Sequence, residues 1–170
     1  KAFAAPAILT LCYLYKINNV VAAADSSSHR PRLAQLQTQN CKLKTNIMKV
    51  LILCTGNSCR SQMAHGFLQS FDQKITVESA GTEASGKLNQ NAVKVMAEIG
   101  LDISQHTSDS VEKYLDEAWD YVITVCGGAN ESCPTFTGEV KNRLHIGFDD
   151  PSHAVGTNEF IMSEFYRVRD

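Results

Sequence analysis

Long hydrophobic runs are scarce in this 170-residue chain, and so is any dense cysteine pattern. The apolar stretch AFAAPAILTLCYLY (2–15) is too short to span a bilayer comfortably. Six cysteines (Cys12, Cys41, Cys54, Cys59, Cys126 and Cys133) are scattered over the whole length. A chain of this size, 44% hydrophobic, buries its core without disulfide staples. The pattern excludes a stapled mini-fold and fits an intracellular protein whose thiols do chemistry. Clustered basic charge is also lacking: residues 48–170 hold ten Lys/Arg against seventeen Asp/Glu. That balance argues against a nucleic-acid surface, which needs grouped Lys/Arg for phosphates. Aromatics make up 8%, and the single tryptophan, Trp119, reads with Tyr121 as core or edge packing. No internal repeat or low-complexity tract is visible.

Acidic residues are missing from the start, where residues 1–47 hold six Lys/Arg and only Asp25. Such a charge break suggests two segments of different nature. VVAAADSSS (20–28) has small residues of the kind found near signal cleavage sites, and residues 26–46 are polar and basic like a linker or targeting segment. The reading is an N-terminal extension over 1–47, disordered or targeting, and one compact domain over 48–170, with Met48 as its natural start. An appended stretch without function, an organelle address and a secretion signal stay open for the extension.

From Met48 on, strands and helices alternate. KVLIL (49–53) is a continuous apolar run, as in a strand buried on both faces. SQMAHGFLQSF (61–71) sets Met63, Ala64, Phe67, Leu68 and Phe71 on one helical face. KITVES (74–79) alternates as a strand. NQNAVKVMAEIG (89–100) reads as a helix with Val93, Met96, Ala97 and Ile99 inward, stopped by Gly100. EKYLDEA (112–118) reads as a helix, WDYVITVC (119–126) and RLHIGF (143–148) as strands. TNEFIMSEFYRVRD (157–170) reads as a last helix with Phe160, Ile161, Phe165 and Val168 inward. Alternation of this kind predicts an α/β fold: a four-stranded, doubly wound parallel sheet with helices on both faces, in three layers. Ligands of such sheets sit at the carboxyl ends of the strands, where Cys54 and Cys126 both fall.

The segment CTGNSCRS (54–61) joins the first strand to the first helix. Gly56 lets the backbone turn tightly, so that successive N–H groups of Thr55, Gly56, Asn57, Ser58 and Cys59 face one point. The helix N-terminus adds its positive end, and Arg60 a planar donor fork suited to a tetrahedral oxyanion. The same groups should draw the Cys54 thiol well below its usual pKa of about 8.5, with Ser61 donating to the sulfur. Cysteine-x5-arginine alone is weak; with a strand before it and a helix after it, it becomes specific. A buried, inert cysteine is the competing reading for Cys54, and Cys59 reads as loop filling. Cys126 and Cys133, in VCGGANESCP, read as a redox pair across a deformable Gly127-Gly128 segment, as two unrelated cysteines, or as half of a zinc site lacking its partners.

Taken together, CTGNSCRSQMA (54–64), CGGANESCP (126–134) and GFDDP (147–151) closely resemble the thioredoxin-coupled arsenate reductases, which share the fold of the low-molecular-weight protein tyrosine phosphatases. The resemblance spans about residues 48–170. It implies a cytoplasmic monomer that engages neither membrane nor nucleic acid, takes arsenate as substrate and thioredoxin as electron donor, and holds no tight cofactor. It implies Cys54, Cys126, Cys133, Arg60 and Asp150 as catalytic residues. Cys54 attacks arsenic, Asp150 donates a proton from a raised pKa, and a disulfide passes from Cys54–Cys126 to Cys126–Cys133. Residues 55–61 bind the oxyanion, and His106 helps order their loop. Some relatives hold potassium, and the matching oxygens would be those of Asn57, Ser79 and Asp109. The fourth position, usually a glutamate, is His65 here, a poor match for that ion. A phosphomonoester hydrolase is the alternative enzyme, since it would use the same loop, Arg60 and Asp150. It has no use for Cys126 and Cys133, and SHAVGTNEF (152–160) lacks the paired tyrosines usual there. A thiol-sensing or anion-binding module is the alternative without catalysis.

Overall fold

The structure, a computed structural model, describes residues 47–170. Residues 1–46 of the extension expected over 1–47, with Cys12 and Cys41, lie outside the described residues. Five strands form one parallel sheet: β1 (Lys49–Cys54), β2 (Thr76–Gly81), β3 (Asp109–Ser110), β4 (Trp119–Thr124) and β5 (Val140–His145), in the order β3-β2-β1-β4-β5. β1 is central and buried from Val50 to Cys54, as its unbroken apolar run requires. The helices are α1 (Arg60–Phe71), α2 (Gln90–Ala97), the single turn α3 (Gly127–Glu131) and α4 (Asn158–Arg169). From β1 the chain winds outward through β2 to β3, then returns to β4 on the far side of β1 and on to β5. Right-handed crossovers in opposite directions put their connections on opposite faces. The direction reverses between β1 and β4, so the crevice opens at Cys54 and Cys126.

One face is closed by α1, α2 and α4 around Met63, Ala92, Val95, Met96, Ile103 and Phe165. Asn89 caps α2 through its carboxamide oxygen, and Thr157 caps α4. Among the described residues no helix is long and apolar enough to cross a membrane.

Four expectations need correction. The sheet has a fifth strand, two residues long, whose polar Asp109–Ser110 carries no apolar signal. EKYLDEA forms only a 3-10 turn over Val111–Tyr114. The carbonyls that would continue it are taken: Tyr114 O accepts from Trp119 Nε1 (3.1 Å), and Leu115 O from the Thr137 and Gly138 N–H groups. α2 turns Ala92, Val95 and Met96 inward, leaving Ala97 and Ile99 exposed. Phe71 and Phe160 are half exposed, so Phe165 alone of the α4 apolar residues is fully buried.

Candidate active site

The loop 55–59 runs from the end of β1 to the start of α1. Its carbonyls are turned outward: the N–H groups of Thr82, Glu83, Ser85 and Asn89 donate to the oxygens of Cys54, Thr55, Gly56 and Ser58. The N–H groups of residues 56–59 donate to no backbone carbonyl among the described residues, and α1 starts without a side-chain cap. Asn57 takes a left-handed conformation (φ 43°) and is completely buried. The loop passes so close over β2 that a Cβ on Gly81 would lie 2.5 Å from Thr55 O.

Behind the loop, Gln62 is fully buried and donates from Nε2 to Asn57 O (3.1 Å), Asn57 Oδ1 (2.9 Å) and Thr107 O (2.8 Å). Its Oε1 meets His106 Nδ1 at 3.0 Å. His106 thus orders the loop through Gln62, a residue that sequence reading passed over. A glutamine between two buried helix positions was the available signal. Ser61 Oγ donates to Asn57 Oδ1 (2.9 Å) rather than to the Cys54 sulfur as expected.

Arg60 is the bridge to the opposite wall. Its Nη2 pairs with the Asp150 carboxylate and its Nη1 donates to Phe148 O (3.1 Å). Arg60 Nε is buried and has no hydrogen-bond partner among the described residues, a donor of the kind a tetrahedral oxyanion in the loop would engage. Burial opposes ionisation of Asp150, but the Ser152 N–H and hydroxyl and the Arg60 charge outweigh it and hold the carboxyl below its usual range. The expected raised pKa is therefore not found; Asp150 rests as a carboxylate. Asp149 is exposed and pairs with Arg167.

Cys54 and Cys126, both buried and free, lie at the ends of the paired strands β1 and β4, where Val125 N donates to Leu53 O (2.8 Å) and the Cys126 sulfur lies 3.4 Å from the hydroxyl of Thr55. Burial pushes the Cys54 thiol up against the pull of Arg60, so the expected fall is not found. For Cys126 burial is outweighed by the Thr55 hydroxyl (3.4 Å) and the Ala129 N–H, and its thiol lies below the ordinary value. Burial pushes Cys59 to about 12, in keeping with a filling role. Cys133 lies beyond α3, half-buried, with Arg143 Nη1 donating to its sulfur (3.4 Å).

The residues matching a potassium site do not fit that ion. Asn57 Nδ2 donates to Ser79 O (3.0 Å) and Asp109 O (3.4 Å), occupying two of the oxygens. Asp109 Oδ2 accepts from Lys113, Thr107 and Tyr114. His65 contacts Ser79 Oγ (3.2 Å) and stacks on His106 at 4.2 Å, and burial first, then His106, lowers its pKa to about 4. A neutral imidazole and a lysine-bound carboxylate offer little to a hard cation.

The family description of the low molecular weight phosphotyrosine protein phosphatases matches residues 49–155. An arsenate reductase of Halalkalibacterium halodurans is 51% identical over 122 residues, covering 71% of this chain and 86% of the relative. That of Bacillus subtilis is 50% identical over the same shares. A solved arsenate reductase in the phosphate binding state superposes with a TM-score of 0.58 at 33% identity, over 72% of this chain and 91% of that one. A tyrosine phosphatase of Erwinia amylovora superposes at 0.57 with 16% identity, a likeness of fold alone.

Proposed function

The chain belongs to the low molecular weight phosphotyrosine protein phosphatase family, and on that premise we propose that it is an arsenate reductase whose own thiols supply two electrons. The observation that carries the reading is that two buried, free cysteines, Cys54 and Cys126, stand at the ends of neighbouring strands at an oxyanion loop, with the Cys126 sulfur 3.4 Å from the Thr55 hydroxyl of that loop. A hydrolase would need only the first of them.

Arsenate enters the loop and takes donors from the 56–59 N–H groups and from Arg60. Drawing Arg60 toward the oxyanion frees Asp150 to carry a proton. Cys54 sulfur bonds to arsenic, the Cys54 thiol proton passes through the Asp150 carboxylate to the hydroxyl that hydrogen arsenate brings with it, the arsenic–oxygen bond breaks and that oxygen leaves as water. The Cys126 thiolate then attacks Cys54 sulfur. The sulfur–sulfur bond forms, the sulfur–arsenic bond breaks, and its electron pair stays on arsenic, giving arsenite. Cys133 attacks Cys126 in turn and releases Cys54 as a thiolate. The Cys126–Cys133 disulfide is returned to two thiols by an external dithiol, for which thioredoxin in the cytoplasm is the proposed donor.

The test is arsenate-dependent NADPH oxidation in the presence of thioredoxin and thioredoxin reductase. Sustained turnover in the wild type, dropping to a single equivalent in Cys133→Ser, is the expected result. Hydrolysis of para-nitrophenyl phosphate that survives Cys126→Ser, with no arsenate turnover at all, would leave a phosphatase instead.

A further inference from the structure

Cys133 must attack as a thiolate, and the rate of such an exchange follows the thiolate fraction and access of the attacking sulfur. α3 and the residues around it show what supports the other two thiols, but nothing in the proposed mechanism accounts for Cys133. Its surroundings are specific. From the loop itself the Pro134 carbonyl lies 3.9 Å from the sulfur. From β5 the group facing it is the Arg143 guanidinium, with Nη1 at 3.4 Å.

Arg143 is not a loose surface cation. Its guanidinium carbon lies 5.1 Å from the centroid of the Phe136 ring, and Phe136 is buried. A planar guanidinium stacked on a ring has fewer orientations to lose, so its N–H groups stay aimed. Nor is its charge neutralised: neighbouring Lys141 pairs with Asp120, whereas Arg143 has no carboxylate partner among the described residues. β5 sets its place, since Arg143 stands beside Val122 and Leu144 beside Ile123 on the strand that leads to Cys126.

We propose that Arg143 is a positioning residue for Cys133, holding positive charge against its sulfur so that it attacks the Cys54–Cys126 disulfide as a thiolate. In that step the Cys133 thiol gives its proton to solvent, the Cys126–Cys133 bond forms, the Cys54–Cys126 bond breaks and Cys54 leaves with the electron pair. No electrons are gained or lost. The role rests on the relay proposed above.

The experiment follows alkylation of Cys133 by iodoacetamide against pH in full-length protein carrying Cys54→Ser and Cys126→Ser, with the modified peptide read by mass spectrometry. Arg143→Gln is expected to slow alkylation near neutrality about three- to fivefold, the scale of an exposed charge contact. Arg143→Lys should restore most of it, and the melting temperatures of both variants should match the parent. Identical profiles for the Gln variant and the parent would overturn the role while leaving the relay intact. A wild type that shows no arsenate turnover with thioredoxin would remove the relay and this role with it.

Discussion

Asp150 cannot give up a proton while Ser152 and Arg60 hold it as a carboxylate, so the resting site is set for binding rather than for acid catalysis. The same economy of contacts governs His65. It stands where a cation-binding relative would carry a carboxylate, and it supplies structure instead: a hydrogen bond to Ser79 and a stacked face to His106, which reaches Gln62 and the loop. Exchange of sodium for potassium at equal ionic strength should therefore leave the melting temperature of the wild type unchanged. His65→Glu alone should not create a potassium-specific rise either, because Asn57 and Lys113 still hold the other oxygens. Thermal unfolding in the two salts decides it; a potassium-specific rise in the wild type would sink the argument. The residues of this network were only half legible beforehand. Asn57, Arg60 and Cys54 stand in one short motif, but Gln62 acts through neighbours distant in sequence, Thr107 and His106. The same holds for Asp150, whose pKa the motif alone suggested would rise and which the Ser152 hydroxyl and N–H, then Arg60, hold down instead.

At the scale of elements, the turn α3 decides whether electrons move on. Along an ideal helix, seven residues from Cys126 to Cys133 span about 10 Å, beyond the roughly 7 Å that a disulfide allows between Cα atoms. The turn must unwind. It is held by Asn130 N to Cys126 O, by Ser132 N and Oγ to Gly128 O, and by Asn130 Oδ1 accepting from Thr124 Oγ1. Its two glycines separate two effects. An added Cβ at Gly127 meets nothing within 4 Å, so Gly127→Ala only strengthens the turn, by up to about 1 kcal/mol, or about fivefold in the opening equilibrium. A Cβ at Gly128 would lie 2.9 Å from Thr55 Oγ1 and push that hydroxyl from the Cys126 sulfur. Gly128→Ala should therefore lose more turnover than Gly127→Ala. Single-turnover formation of the Cys126–Cys133 disulfide measures both, and a Gly128→Ala protein as fast as wild type would refute the role of the turn. The strands around this element were readable because β1 and β4 each carry a run of apolar residues, 50–53 and 121–123, whereas β3 and the 3-10 turn were not. Those two are fixed by backbone partners far along the chain, such as Leu115 with Thr137, which no local pattern encodes.

Among the described residues the perturbed histidines and carboxylates share one sign: all are lowered. Burial lowers His65 to about 4 and also lowers His106. Asp109 is held down by Lys113 even though burial opposes it. For Asp120 burial likewise opposes ionisation, but Lys141 and the Lys49 N–H prevail, and Asp150 is lowered as described. A histidine with a depressed folded pKa is protonated first in the unfolded chain, so the unfolded state binds more protons and stability is lost as the pH is lowered. For His65 that loss begins near 6.5 and is complete below about 4; a fall of this size corresponds to about 3 kcal/mol. The depressed carboxylates add stability that is fully present above their ordinary value of 3.8 and is lost as pH falls through their lower folded values. The two windows follow one another, so acid unfolding should proceed in one direction with no stability maximum between pH 4 and 6.5. Urea midpoints at a series of pH values test this, and His65→Gln should flatten the upper window while leaving the lower one in place. A midpoint that rises on acidification from pH 6.5 to 5 in the wild type would show that the pair is not held neutral by its burial.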